Sequence, residues 1–82
     1  MRIWDLKPGA RVRIKRPFVD FDGLNIEPGE HQVETHDYFF YDDGHTLSFT
    51  DGLILRLAGV EPAHEPILHD AADFYWELVH ED

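Results

Sequence analysis

The chain contains no cysteine, a single serine, a single methionine, and only one basic residue, Arg56, beyond position 16. Without cysteine there is no disulfide, no thiolate zinc site and no cysteine nucleophile. The lone serine, Ser48, falls inside an apolar, strand-like stretch and lacks the strained strand-to-helix elbow that exposes a hydrolase nucleophile. The six glycines are scattered singly at turns, so no phosphate-cradling loop is present. Long apolar runs are missing too. The longest, Tyr38-Phe39-Phe40-Tyr41, is far short of the roughly 20 residues that span a bilayer. No stretch has the form of an export signal. These absences lead to the expectation of a soluble, cytoplasmic protein without membrane contact. At 82 residues the chain has room for one hydrophobic core, hence one domain over 1–82.

What is present is acid and aromatic surface, unevenly placed. Six of the seven basic residues (Arg2, Lys7, Arg11, Arg13, Lys15, Arg16) lie in the first sixteen positions beside one acid, Asp5, while sixteen acids face Arg56 in the remainder; the net charge is −10. Such a charge repels nucleic acid at long range, so nucleic acid is not expected as a partner. Pairing of the basic segment with acidic neighbours across a sheet is the simplest use of the asymmetry. A surface that imitates a phosphate backbone, and so inhibits a nucleic-acid-binding protein, is a further reading.

Two segments, Leu6-Lys7-Pro8-Gly9 and Ile26-Glu27-Pro28-Gly29, place Pro-Gly where a type II turn wants it, and each is expected to launch a strand. Arg11-Val12-Arg13-Ile14-Lys15 alternates with period two, pointing Val12 and Ile14 inward and the cations outward. Pro17 stops regular pairing, and Phe18 to Pro28 reads as an irregular loop. A second strand runs from Glu30 towards Thr35, with Tyr38 to Tyr41 extended after it. A three-residue loop at Thr50-Asp51-Gly52 sets Leu47 against Leu55 and keeps apolar residues on one face. The same loop at Asp42-Asp43-Gly44 faces Phe39 towards Leu47 and sends Tyr38 and Phe40 outward. Pro62 and Pro66 leave room for a short helical turn, and Ile67 to Asp73 for a second, before a final strand, Phe74 to Val79; a helix over His69 to His80 competes with that strand.

The resulting order is mainly β: strand, long loop, strand, two hairpins, a helical turn and a last strand. A small closed five-stranded barrel would cover both sheet edges. With Phe18–Pro28 as the long first loop, Thr50-Asp51-Gly52 as the tight hairpin and Pro62–Glu65 as the turn before the last strand, the chain resembles the SH3-like barrels. The alanine-leucine-tyrosine-aspartate-tyrosine segment and the strand-opening tryptophan of peptide-binding SH3 domains are absent, so proline-peptide recognition is not implied. Leu6-Lys7-Pro8-Gly9, Phe18–Gly23 and Tyr38–Leu47 also look like small bacterial domains of unassigned function.

No arrangement for catalysis emerges. Asp20-x-Asp22 and Asp42-Asp43 both precede glycine in turns, where aspartate serves conformation. Two binding expectations remain. Eleven aromatic residues exceed what so small a core encloses, so some must form a surface. Phe18, Phe21, Tyr38, Phe40 and Trp76 are the candidates to dock an unidentified protein partner or a second copy. The alternative is a small-ligand or divalent-metal site built from His36, Asp42, Asp43 and His45 around one turn; imidazole and carboxylate suit zinc, nickel or manganese. No cofactor is expected.

Overall fold

In a computed structural model, residues 3–69 and 76–79 are described. Seven strands form: β1 (Arg11–Ile14), β2 (Phe18–Val19), β3 (Asn25–Ile26), β4 (Gly29–Phe39), β5 (Gly44–Phe49), β6 (Ile54–Ala58) and β7 (Trp76–Leu78). A 3-10 turn at Ile3–Asp5 precedes them, and a second at Pro62–His64 runs into one short helix, α1 (Glu65–His69). Five strands make one antiparallel sheet in the order β6-β5-β4-β1-β7, and β2 and β3 form a separate hairpin. The fold is therefore mainly β. Among the described residues β6 and β7 are edges, and no ladder closes the sheet into a barrel.

Alternation in β1 works as the sequence dictates. Val12 and Ile14 are buried, whereas Arg11 and Arg13 face solvent. Arg13 stands opposite Glu30 on β4 and Glu77 on β7, and its guanidinium reaches both carboxylates, at 2.7 and 2.9 Å. The basic strand is thus held between acidic ones. Gly9 has φ +94°, as its turn requires, but Gly29 does not enter the left-handed region and simply opens β4. The second Pro-Gly therefore launches its strand as expected, but without the left-handed glycine of a type II turn.

That hairpin also corrects the reading of 18–28 as irregular. Phe18 pairs with Ile26 and Val19 with Asn25, and both Phe18 and Ile26 are buried. Across the Thr50-Asp51-Gly52 turn, Leu47 stands opposite Leu55, with Gly52 left-handed at φ +93°. The expected register holds at that turn. At the preceding turn it does not: Phe39 pairs with Gly44 and Tyr38 with His45, leaving four residues, 40–43, in the loop, with Asp43 at φ +49°. The register differs from the expected one by three residues, and an odd difference exchanges the two faces of a strand. A bulge between Val33 and Thr35 adds to the exchange, since it lets both Val33 and His36 face inward at an odd spacing.

The core gathers Ile3, Leu6, Val12, Ile14, Phe18, Val33, Leu47, Phe49, Leu55, Leu57, Ile67, Leu68 and Trp76. Trp76, wholly buried, lies opposite Ile14 in register and packs its ring 5.9 Å from that of Phe18. Residues 76–78 are a strand, which excludes a helix continuing to His80. The expected Ile67–Asp73 turn is met by α1 as far as His69. The remaining part of that expectation, and Phe74 and Tyr75 of the last strand, lie outside the described residues.

Candidate functional site

β4 and β5 are the longest strands, and their shared hairpin projects past the end of the apolar core. The inner face of β4 carries His36 and then Tyr38, opposite Leu47 and His45 on β5. Here the core changes from aliphatic to aromatic and imidazole. The 3-10 turn at Ile3–Asp5 buries Ile3 and lays the Trp4 ring over the same place, with centroids 4.7 Å from His45, 4.8 Å from Tyr38 and 5.5 Å from His36. Trp4 remains half exposed.

The two histidines form a defined pair. His36 Nδ1 lies 2.9 Å from the Leu6 carbonyl oxygen, which can only accept, so the proton sits on Nδ1. The lone pair on His36 Nε2 then accepts from His45 Nδ1–H at 2.8 Å. Burial, and then the neighbouring His36, push the His45 pKa down to about 4, with only a small opposing effect of Asp43. His45 is consequently neutral at pH 7, and its ring lies edge-on to that of Trp4.

Tyr38 donates its hydroxyl proton to Asp43 Oδ1 at 2.7 Å. That hydrogen bond, then desolvation and the charges of Asp43 and Asp42, raise the phenol's pKa above its usual value. Asp43 also accepts from the Gly59 N–H through its carbonyl, at 2.9 Å, and a Cβ on Gly59 would collide with the Asp43 carboxylate. The base of the hairpin end is therefore pinned to the end of β6. Its apex is not: Phe40 is 85% exposed and Tyr41 70%. Their rings, together with Phe39 on the outer face, touch one another, with centroids 6.0 and 6.2 Å apart. Asp37 and Asp43 are exposed nearby, and no lysine or arginine occurs between Asp37 and Thr46.

The five aromatic candidates do not converge. Phe18 and Trp76 are core residues, because β2 folds over the sheet and β7 adds to it with Trp76 on the inner side. Phe21 belongs to another place. The Arg56 guanidinium sits 5.4 Å above its ring centroid, and Asp22 accepts from the same guanidinium at 2.9 Å. Tyr38 and Phe40 reach the hairpin end, Phe40 outward as expected. Tyr38 lies instead on the inner face, and Phe39, expected towards the core, lies on the outer one; the register change accounts for both. Sequence reasoning missed Trp4, for which no local signal exists, and Tyr41, whose place at the end of a four-aromatic run before a turn was the available clue.

The metal set is brought together only in part. His36 and His45 meet, but the two nitrogens that face each other are occupied by their mutual hydrogen bond. Asp43 is engaged with Tyr38. Among the described residues no three histidine, aspartate or glutamate side chains converge as a metal site would need. Two surface hollows have polar walls. One, of about 390 Å³, is lined by Arg11, Glu30, His31, Gln32, Thr50 and Asp51, and its His31 and Asp51 pair with each other at 2.6 Å. The other, of about 240 Å³, lies beside Phe21 and His64. There His64 Nδ1 accepts from the Ala58 N–H and Nε2 donates to the Val19 carbonyl, so both ring nitrogens serve the fold.

No helix among the described residues is long and apolar enough to cross a membrane. No known family and no curated protein matches the chain. A solved structure of an integron cassette protein, from the mobile metagenome of Vibrio cholerae, is similar in fold: the TM-score is 0.61 at 21% identity, over 93% of this chain and 91% of that one. At that identity the likeness carries the fold and no activity.

Proposed function

We propose that this chain is a small non-catalytic interaction module that presents the aromatic end of its β4–β5 hairpin to a protein partner. The observation that carries the reading is the exposure of Phe40 and Tyr41 at the apex of a hairpin whose base is fixed by Tyr38–Asp43 and Asp43–Gly59. Large aromatic side chains on a rigid support are what binding hot spots are made of. An SH3-like topology fits the scaffold. The order β7-β1-β4-β5-β6, with the β2–β3 hairpin inserted between β1 and β4 and a 3-10 turn before β7, supports it. A cytoplasmic setting suits the cysteine-free composition.

The test compares affinity capture by the native domain and by a Phe40→Ser, Tyr41→Ser double variant, each checked by NMR for an unchanged core. A partner, or a second copy, bound by the native domain and lost from the variant supports the module. An identical set of bound proteins in both, with identical sedimentation, overturns it. Trp76 is unsuited to such a test, because its substitution would unfold the domain.

A further inference from the structure

Resting on the interaction reading, we propose that the occupant of this surface is a cationic segment of another protein, which lays arginine side chains on the Tyr38–Tyr41 end of the hairpin. The molecule already contains one example of the recognition. Arg56 places its guanidinium over the Phe21 ring, at 5.4 Å, while Asp22 takes one of its N–H groups at 2.9 Å. An aromatic face supplies the quadrupole and a carboxylate beside it supplies the charge. The hairpin end presents the same two groups, and no lysine or arginine occurs in its sequence between Asp37 and Thr46. Phe40 and Tyr41 expose their rings, Trp4 is half exposed on the inner flank, Asp37 is exposed near the end of β4, and Asp42, half-buried, and Asp43, exposed, lie in the turn.

Two of this chain's arginines are already paired elsewhere. Arg56 is its only basic residue after position 16, and it is committed to Phe21 and Asp22. Arg13, on the basic strand, is committed to Glu30 and Glu77. A second copy of the chain is disfavoured as occupant, since each copy brings a net charge of −10 to the contact. A purely apolar segment would have to desolvate the carboxylates around the rings without pairing them. Arginine avoids that. Its planar guanidinium is weakly hydrated, stacks on rings and meets carboxylates in a fork, which a lysine ammonium does not do.

The experiment titrates the whole domain with a capped peptide carrying two arginines separated by glycine, and with its citrulline and leucine counterparts, following the ring resonances of Phe40 and Tyr41. Citrulline keeps the planar shape and removes the charge. The expected result is binding of the arginine peptide at the hairpin end, weakened about tenfold by citrulline, the equivalent of roughly 1.4 kcal/mol. It should also weaken several-fold between about 50 and 500 mM salt, over which the screening length shortens about threefold. The Phe40→Ser, Tyr41→Ser variant has the same net charge, so it separates this site from general attraction to an acidic protein; it should lose the binding. Equal binding by citrulline or leucine peptides, or arginine binding unaffected by the double variant, overturns the cationic partner. No perturbation of the hairpin rings by any peptide at millimolar concentration does so too. In each of those cases the module reading stands or falls separately, on whether the double variant loses its captured partner.

Discussion

The β2–β3 hairpin, with His64 of the second 3-10 turn beside it, and the β4–β5 hairpin end bring together the same residue types, phenylalanine, aspartate and histidine, and use them in opposite ways. At β2–β3 the polar groups are consumed by the fold. Asp20 is buried and accepts from the Asp22 and Leu24 N–H groups through Oδ1, and from the Arg56 N–H of β6 through Oδ2. His64 joins two backbone groups, and Phe21 lies under Arg56. At the β4–β5 end the fixed groups stop at Asp43, and beyond it aromatic rings meet one another and solvent. Composition does not separate a latch from a docking surface. Hydrogen bonds and exposure do.

The largest effect is expected at the latch. Asp20→Ala leaves three backbone donors without their acceptor and uncouples the hairpin from β6, which should lower stability by about 3 kcal/mol in chemical denaturation. Asp20→Asn keeps one acceptor oxygen but offers an amide where the other carboxylate oxygen stood, so its loss should fall in between. A stable, cooperative Asp20→Ala domain would mean that the hairpin is not part of the same folding unit.

Under Trp4 the comparison is sharpened by pH. His45 has a folded pKa of about 4 against 6.5 for an unperturbed histidine, so between those values the unfolded chain takes up a proton that the folded one refuses. Stability should therefore fall as pH falls from about 6.5 to 4. From pH 7 to 5 the loss should be on the order of 1–2 kcal/mol, with allowance for partial solvent screening. Glu30 and Asp51, whose pKa values are lowered by Arg13 and by the Leu53 N–H respectively, add their own loss only below the usual carboxylate range. His45→Gln keeps a donor for His36 and should flatten the slope above pH 5. A slope that survives this substitution would assign the effect elsewhere.

How much of this was legible in the sequence depends on distance along the chain. Period-two alternation in Arg11–Lys15 and the Thr50-Asp51-Gly52 register are local properties, and both were readable. The four-residue loop at 40–43 is not written in side-chain types, and it reversed the faces inferred for Tyr38 and Phe39. Phe18 and Trp76 carried no local sign of meeting each other, being 58 positions apart. Burial of such pairs is decided by topology, which is why the expected docking surface mixed core and surface residues. The acid-aromatic character of 37–43 was visible, and which rings stay outside was not.

Gly59 tests whether the pinned base matters to the exposed apex. Gly59→Ala drives a Cβ into the Asp43 side chain, which must move together with its Cβ. Overpacking of about 1–3 kcal/mol is partly offset by 0.4–1 kcal/mol from a stiffer unfolded chain, leaving a net loss of about 1 kcal/mol. Partner binding should weaken more than this small loss suggests, although Gly59 is no part of the aromatic surface. Unchanged affinity would show that the apex works independently of its anchor.

The smallest expected effect on stability is at the apex, where the proposed reading expects the largest effect on binding. Phe40 is 85% exposed, and its ring lies 6.2 Å from that of the neighbouring Tyr41. Phe40→Ala should accordingly leave the denaturation midpoint within about 0.5 kcal/mol of the native domain, as for ordinary surface positions. On the proposed reading, a ring that adds nothing to folding and stands wholly in water is free to anchor a partner. The expected signature is thus a dissociation: native stability together with lost partner binding. If Phe40→Ala instead destabilised the fold as strongly as Asp20→Ala, the ring would be a structural cap, and the contrast between the two hairpins would disappear.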